Sequence, residues 1–227
     1  MRKRLFSLSV LLLAAIGVSA NALGDGAVAC SKPSSRPTLI VVDCQNDFSR
    51  EGAPLFVPGG NAAIEAIVRL MDSGNIGHVV FTVDWHPANH SSFKPYGGIW
   101  PPHCVQHTEG AAIRTELIEA CGRNGLTYSV FEKGANPNEE EYGAFAGTWS
   151  ETEEAHVVHH AMGDFALPKG KSYILCGIAG DYCVKETLKN VAHLRPQVFM
   201  PGVAHIGAEQ TLLDEMSALG IKPYRTK

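Results

Sequence analysis

Excess positive charge is the first thing this chain lacks: 19 Lys and Arg stand against 23 Asp and Glu, giving a net charge of −4 and a pI near 6.2. Without a basic stripe or tail to track a phosphate backbone, nucleic acid is excluded as a partner. No internal repeat is present, which removes solenoids and propellers. No G-x-S-x-G elbow is present either, so the serine nucleophile of that turn is missing. The longest apolar run, Leu5 to Ala20, falls short of the roughly 20 residues a membrane span needs. The six cysteines, at 30, 44, 104, 121, 176 and 183, follow no regular spacing. In a chain of this size that pattern argues against a disulfide scaffold.

What is present begins with a leader. Arg2, Lys3 and Arg4 precede the apolar run, and Ala20-Asn21-Ala22 supplies a small-residue cleavage site before Leu23. Residues 1–22 therefore read as a signal peptide, and the expected address is periplasmic or secreted, with no membrane span after cleavage. Ala27-Val28-Ala29-Cys30 resembles a lipoprotein box but sits too far beyond the apolar run. Residues 23–37 form a lead-in, with a Ser/Pro-rich stretch from Ser31 to Pro37 that reads as loop. The remainder, 38–227, fits one domain. Its composition, 45% hydrophobic and 19% charged over the whole chain, is that of an ordinary globular protein.

Along that domain, short β-branched runs alternate with helical periodicity. Strands are expected at 38–42, 78–83, 126–131, 173–178 and 197–200, with a sixth at 221–224. Helices are expected at 61–73, 111–120, 152–162, 181–193 and 209–219. The alternation predicts an α/β fold, an open and mostly parallel sheet of five to six strands with helices on both faces. Ligands bind such sheets outside the carboxyl ends of the strands. Asp43, Asp84, Lys133 and Cys183 all follow strands closely.

Asp84-Trp85-His86 sets a carboxylate and an imidazole two residues apart at a strand end, where alternate side chains share a direction. His103 follows in a loop stiffened by Pro101 and Pro102. Asp, His and His suit one divalent ion, zinc first, then iron or manganese, with positions left for water or substrate. His90 or Ser92 is a further candidate for the sphere. A second cluster, His156, His159 and His160, lies among Glu151, Glu153 and Glu154 and reads as a solvated helix face. The run from Gly177 to Cys183 is a tight strand-to-helix turn that delivers a cysteine at a helix start, where partial positive charge lowers a thiol pKa. Asp43 is placed to take the thiol proton and Lys133 to hold that carboxylate.

Together these residues resemble the nicotinamidase/pyrazinamidase branch of the isochorismatase-like hydrolases. The resemblance rests on Asp43-x-Gln45-x-Asp47-Phe48, on Asp84 to His90, on Trp100 to Gln106, on Lys133-Gly134 and on Gly177 to Val184. It implies a catalytic set of Asp43, Lys133 and Cys183, and metal ligands Asp84, His86 and His103. It also implies substrate contacts from Phe48, Trp100, Tyr142 and Gln45, an oxyanion hole at the N–H groups of Ala179 and Cys183, and a cis peptide beside Ala179. The implied activity is hydrolysis of nicotinamide, and of pyrazinamide, through a cysteine thioester. Another small amide as substrate and a non-catalytic metal- or nicotinamide-binding role are the alternatives. Two departures stand out. Gly180 replaces the Thr usual in the family, and the segment 147–170 differs, leaving room for a lid or a subunit contact and so for a homo-oligomer.

Overall fold

The structure, a computed structural model, describes residues 35–145, 167 and 171–226. The leader, most of the lead-in, the helix expected at 152–162 and its three histidines lie outside the described residues.

Five strands form one sheet: β1 (Thr38–Val42), β2 (His78–Asp84), β3 (Thr127–Lys133), β4 (Tyr173–Ile178) and β5 (Gln197–Ala204). All neighbours pair in parallel, in the spatial order β3-β2-β1-β4-β5. β1 and β4 are buried along their whole length, which is why they read as unbroken apolar runs rather than alternating ones. The chain leaves β1 toward β2 on one side and returns to β4 on the other. The crevice beyond the carboxyl ends of β1 and β4 is therefore the topological switch point.

Two layers of helix cover the sheet. α2 (Gly60–Asp72) and α3 (Thr115–Arg123) pack Ile64, Ile67, Leu70, Met71, Leu117 and Cys121 against Leu39, Val41, Val79 and Phe81. α4 (Lys185–Asn190) and α5 (Gln210–Ala218) bring Leu188, Leu212 and Met216 to the face holding Ile40, Val42, Val80 and Leu175. Each of the Val, Leu, Ile, Met and Phe side chains among these contributes about 1.5–3 kcal/mol by leaving water. A single helical turn, α1 (Asn46–Ser49), follows β1.

Several boundaries differ from expectation for local reasons. The sixth strand is one bridge: Val198 N–H donates to Lys222 C=O and Tyr224 N–H to Val198 C=O, while Pro223 between them has no N–H to extend the ladder. α3 starts at Thr115 because residues 112–114 pair with the chain after β1, through Asn46 N–H to Ala112 C=O and Arg114 N–H to Cys44 C=O. The helix expected at 181–193 is three pieces: a π-helical turn at Gly180–Val184, α4, and a 3-10 turn at Ala192–Leu194. β5 runs on past Met200 to Ala204, with its pairing to β4 shifted in the middle. Among the described residues no helix is long and apolar enough to cross a membrane.

Candidate active site

Asp43 follows β1 with φ 47, a left-handed backbone that non-glycine residues seldom adopt. It is held there by its N–H on Thr82 C=O at 3.0 Å, and its Oδ1 accepts from Thr82 Oγ1 at 2.6 Å. Asp84 and Lys133 end β2 and β3 and face each other in register. The Lys133 ammonium, buried, lies 2.8 Å from Asp43 Oδ2 and in contact with Asp84 Oδ1. It also donates to Glu141 C=O at 3.2 Å and lies 3.8 Å from Cys183 Sγ. Cys183 sits in the π-helical turn after β4, beyond a cis peptide between Ile178 and Ala179. Four strand ends thus bring one nucleophile, one cation and two carboxylates to a single point.

Burial dominates the electrostatics. It raises the Asp43 pKa above the usual carboxylate range, with Lys133 opposing only in part. For Asp84 burial pushes up, but Lys133 and the His103 and His86 imidazoles outweigh it and hold the group well below that range. Burial would lower Lys133, yet Asp43 and Asp84 keep its pKa well above normal. The Cys183 thiol is pushed well up by burial, Lys133 opposing and Asp43 and Asp84 adding to the rise. This corrects the expectation of a helix start that acidifies the thiol. Loss of water around the buried thiol outweighs the Lys133 charge, and the turn is a five-residue π element rather than a full helix end.

Asp84 also belongs to a second group. Its ligand oxygen and one ring nitrogen each of His86 and His103 lie within 4.8 Å of one another, all buried. His86 Nδ1 donates to Gly134 C=O at 2.9 Å, and His103 Nδ1 to Pro101 C=O at 2.8 Å. Those bonds leave each Nε2 lone pair facing Asp84 Oδ2, at 3.5 and 3.8 Å. His86 Nε2 is fully buried and has no hydrogen-bond partner. Two imidazoles with fixed tautomers and one carboxylate fit a zinc-class divalent ion. His90 and Ser92 stand outside this group. His90 accepts from Ser92 Oγ at 2.7 Å through Nδ1 and donates to Glu139 C=O at 3.0 Å through Nε2, so both ring nitrogens are engaged. Its ring lies 4.2 Å from that of His86.

Phe48, Trp100, Tyr142, Ala179 and Cys183 line one narrow cavity with Asp84 and His103 that opens to solvent. Trp100 Nε1 donates to Tyr142 Oη at 3.0 Å and its ring meets Tyr182 edge-on at 5.3 Å. A larger surface cleft, lined by Pro37, Tyr173, Gln197 and Lys222, opens at the amino ends of the strands, away from these groups. Gln45 is not in the cavity. Its side-chain amide donates to Asp84 C=O at 2.8 Å and Ala111 C=O at 2.9 Å, and its oxygen accepts from Asp84 N–H at 2.8 Å. The expected substrate contact is thus a buried clamp on the backbone of Asp84, because a fully buried amide must satisfy every polar atom within the protein. Asp47 acts similarly on the His103 loop, accepting from Cys104 N–H at 2.7 Å.

Tyr182, Glu140 and Ile206 also line the cavity, and Thr82 and Glu141 support it. Thr82 was within reach of sequence reasoning, since it precedes Asp84 by two and shares its direction along the strand. A side chain at Gly180 would have to displace His205 and Val203. A Cβ there would lie 2.2 Å from His205 Cε1.

No family model matches the chain. Curated relatives do. It is 33% identical over 173 residues to the nicotinamidase of Escherichia coli (strain K12), covering 69% of this chain and 76% of that protein. It is 34% identical over 197 residues to the nicotinamidase/pyrazinamidase of Mycobacterium tuberculosis, covering 81% and 96%. Among solved structures, the L. infantum protein PnC1 in complex with nicotinate matches at a TM-score of 0.67 and 28% identity, covering 86% of this chain and 96% of that one. The pyrazinamidase of Pyrococcus horikoshii in complex with zinc matches at 0.63 and 29%, covering 83% and 98%. With the fold, the Asp43/Lys133/Cys183 cluster and these relatives in agreement, the chain belongs to the nicotinamidase/pyrazinamidase family of isochorismatase-like hydrolases.

Proposed function

We propose that this protein is a metal-dependent nicotinamidase that converts nicotinamide to nicotinate and ammonia, and accepts pyrazinamide likewise. The observation that carries the reading is Lys133, whose ammonium touches both the Asp43 beside Cys183 and the Asp84 shared with His86 and His103. A nucleophile with its base therefore abuts a ligand set inside one aromatic-walled cavity.

The chemistry follows from the charges. Asp43 lies between the Lys133 ammonium, 2.8 Å from its Oδ2, and the Cys183 thiol, within hydrogen-bond reach of both, so it is placed to take the thiol proton. Its raised pKa makes it basic enough to hold one. The Cys183 thiol gives its proton to Asp43 as sulfur attacks the amide carbon, and the N–H groups of Ala179 and Cys183 stabilise the oxyanion. Protonated Asp43 then supplies the proton with which the C–N bond breaks and ammonia leaves. Water attacks the thioester with Asp43 again as base, releasing nicotinate and restoring the thiol. Lys133 stays charged throughout. A divalent ion held by Asp84, His86 and His103, with zinc proposed, would supply a Lewis-acid anchor for the ring nitrogen. Phe48, Trp100 and Tyr142 would orient the ring.

Replacing Cys183 by Ala should abolish ammonia release from nicotinamide while leaving metal content intact; substantial residual turnover would remove Cys183 from the mechanism. We further place the enzyme outside the cytoplasm, on the leader at residues 1–22. The mass of the purified mature chain tests this: a start at Leu23 supports it and an intact Met1 defeats it.

A further inference from the structure

After β3 the chain makes a loop, residues 134–141, that returns to its own beginning. Two links close it. Gly134 N–H donates to Glu141 Oε2 at 2.8 Å, and Lys133 Nζ donates to Glu141 C=O at 3.2 Å. Between them the loop offers its backbone to the site. Gly134 C=O holds His86 Nδ1 and Glu139 C=O holds His90 Nε2, while Pro137 C=O accepts from Ser91 N–H at 2.8 Å. The loop is thus the outer support of a ligand imidazole, of the ring stacked against it and of the catalytic ammonium.

The approach is close enough to constrain residue type. Gly134 has φ 68, and a Cβ there would lie 2.4 Å from His86 Cε1. The Gly134 peptide must therefore be held at its N–H, because its C=O fixes which nitrogen of His86 faces Asp84. Inside the loop, Asn136 makes local turns, accepting from Asn138 and Glu139 N–H and donating its side-chain amide to Glu139 Oε2 at 3.2 Å, and none of these bonds reaches the Gly134 peptide. The Glu141 carboxylate is what ties the far end of the loop back to that peptide.

We propose that Glu141 is a positioning residue: its carboxylate latches the 134–141 loop and so fixes His86 and Lys133 together, coupling metal affinity to placement of the catalytic lysine. The proposal rests on the roles given to His86 and Lys133 above. A latch needs an acceptor at this place and not a charge, which separates it from a general electrostatic effect.

The test compares wild type, E141A and E141Q, using zinc affinity from competition with a chromophoric chelator alongside kcat and KM for nicotinamide. E141A is expected to weaken zinc by about 10–100-fold, the usual loss when a group orienting a ligand histidine is removed. At saturating zinc it should lower kcat more than it raises KM. In E141Q the amide oxygen still accepts from Gly134 N–H, so its zinc affinity should stay within about threefold of wild type on the same scale. E141N, polar but one methylene short, replaces E141A if that variant does not fold, and should behave as E141A does. Unchanged zinc affinity in E141A or E141N overturns the proposal, and so does an equal loss in E141Q. A wild type without turnover would sink the nicotinamidase reading and leave the zinc comparison standing.

Discussion

Asp43 plays two opposed parts toward Cys183. It accepts the thiol proton in the reaction, yet its negative charge is one cause of the raised thiol pKa at rest. Substituting Asn removes that repulsion and frees Lys133 to favour the thiolate. D43N should therefore lose ammonia release while its Cys183 is alkylated by iodoacetamide faster at neutral pH, with the rate-against-pH midpoint moved down. A midpoint moved up would contradict the charge assignment. Gly180 carries the second prediction at this scale. A methyl group there meets the His205 ring, whose Nδ1 is buried and unpartnered, at 2.3 Å. G180A should cost about 1–3 kcal/mol, the ordinary penalty of overpacking, with a fall in kcat, and adding H205A should recover most of both. Denaturant midpoints and kcat of the two single variants and the double variant decide it. The glycine was visible as a departure in the sequence, but its partner, 25 positions on by number, was not.

Strand ends were legible because physical chemistry marks them. A buried parallel strand is continuous and apolar, and Asp43 and Asp84 interrupt such runs at the carboxyl edge where the sheet meets solvent and ligand. Lys133 was legible as the polar end of a β-branched and aromatic run, although β3 is a half-buried edge strand and extends two residues further than that run. Pieces that depend on distant pairing were not. The stretch before α3 has helical periodicity but is taken by the chain after β1, and the Glu141 latch lies in a loop without periodicity at all. α2 shows how firmly one element can depend on another. Gly202 of β5 lies under it, and a Cβ there would come within 2.8 Å of Ile67 Cγ1 and Phe199 Cδ1. Neither neighbour is exposed and both are large. G202A should destabilise the fold by about 1–3 kcal/mol and leave KM for nicotinamide unchanged, since the contact lies away from the cavity. Chemical denaturation with a parallel activity assay measures both.

At the scale of the molecule, one buried ligand set ties the long connection before α3 to the ends of two strands that the sheet already pairs. His86 follows β2, His103 comes from the long connection before α3, and the Gly134 peptide that orients His86 follows β3. The five cysteines among the described residues are buried and unpaired, so no disulfide shares this task there. Folding also buries Asp43 and Asp84 against a single Lys133, an excess of one negative charge. Such a group is costly away from water unless further cations balance it. Removing zinc should therefore lower the stability of the whole domain as well as its activity. If the unfolded chain binds zinc weakly, free zinc at a thousand times its dissociation constant stabilises the fold by about 4 kcal/mol. For a domain of this size each kcal/mol moves Tm by roughly 2–4 °C. Chelation should then lower Tm by roughly 8–16 °C on that scale, and the drop should grow with the zinc concentration of the reference sample. In H103A, which removes one ligand and leaves Lys133 and both carboxylates in place, the zinc-dependent part of Tm should shrink toward zero. A chelated wild type that melts where the zinc-loaded enzyme does would show that the cation contributes nothing to holding these loops together.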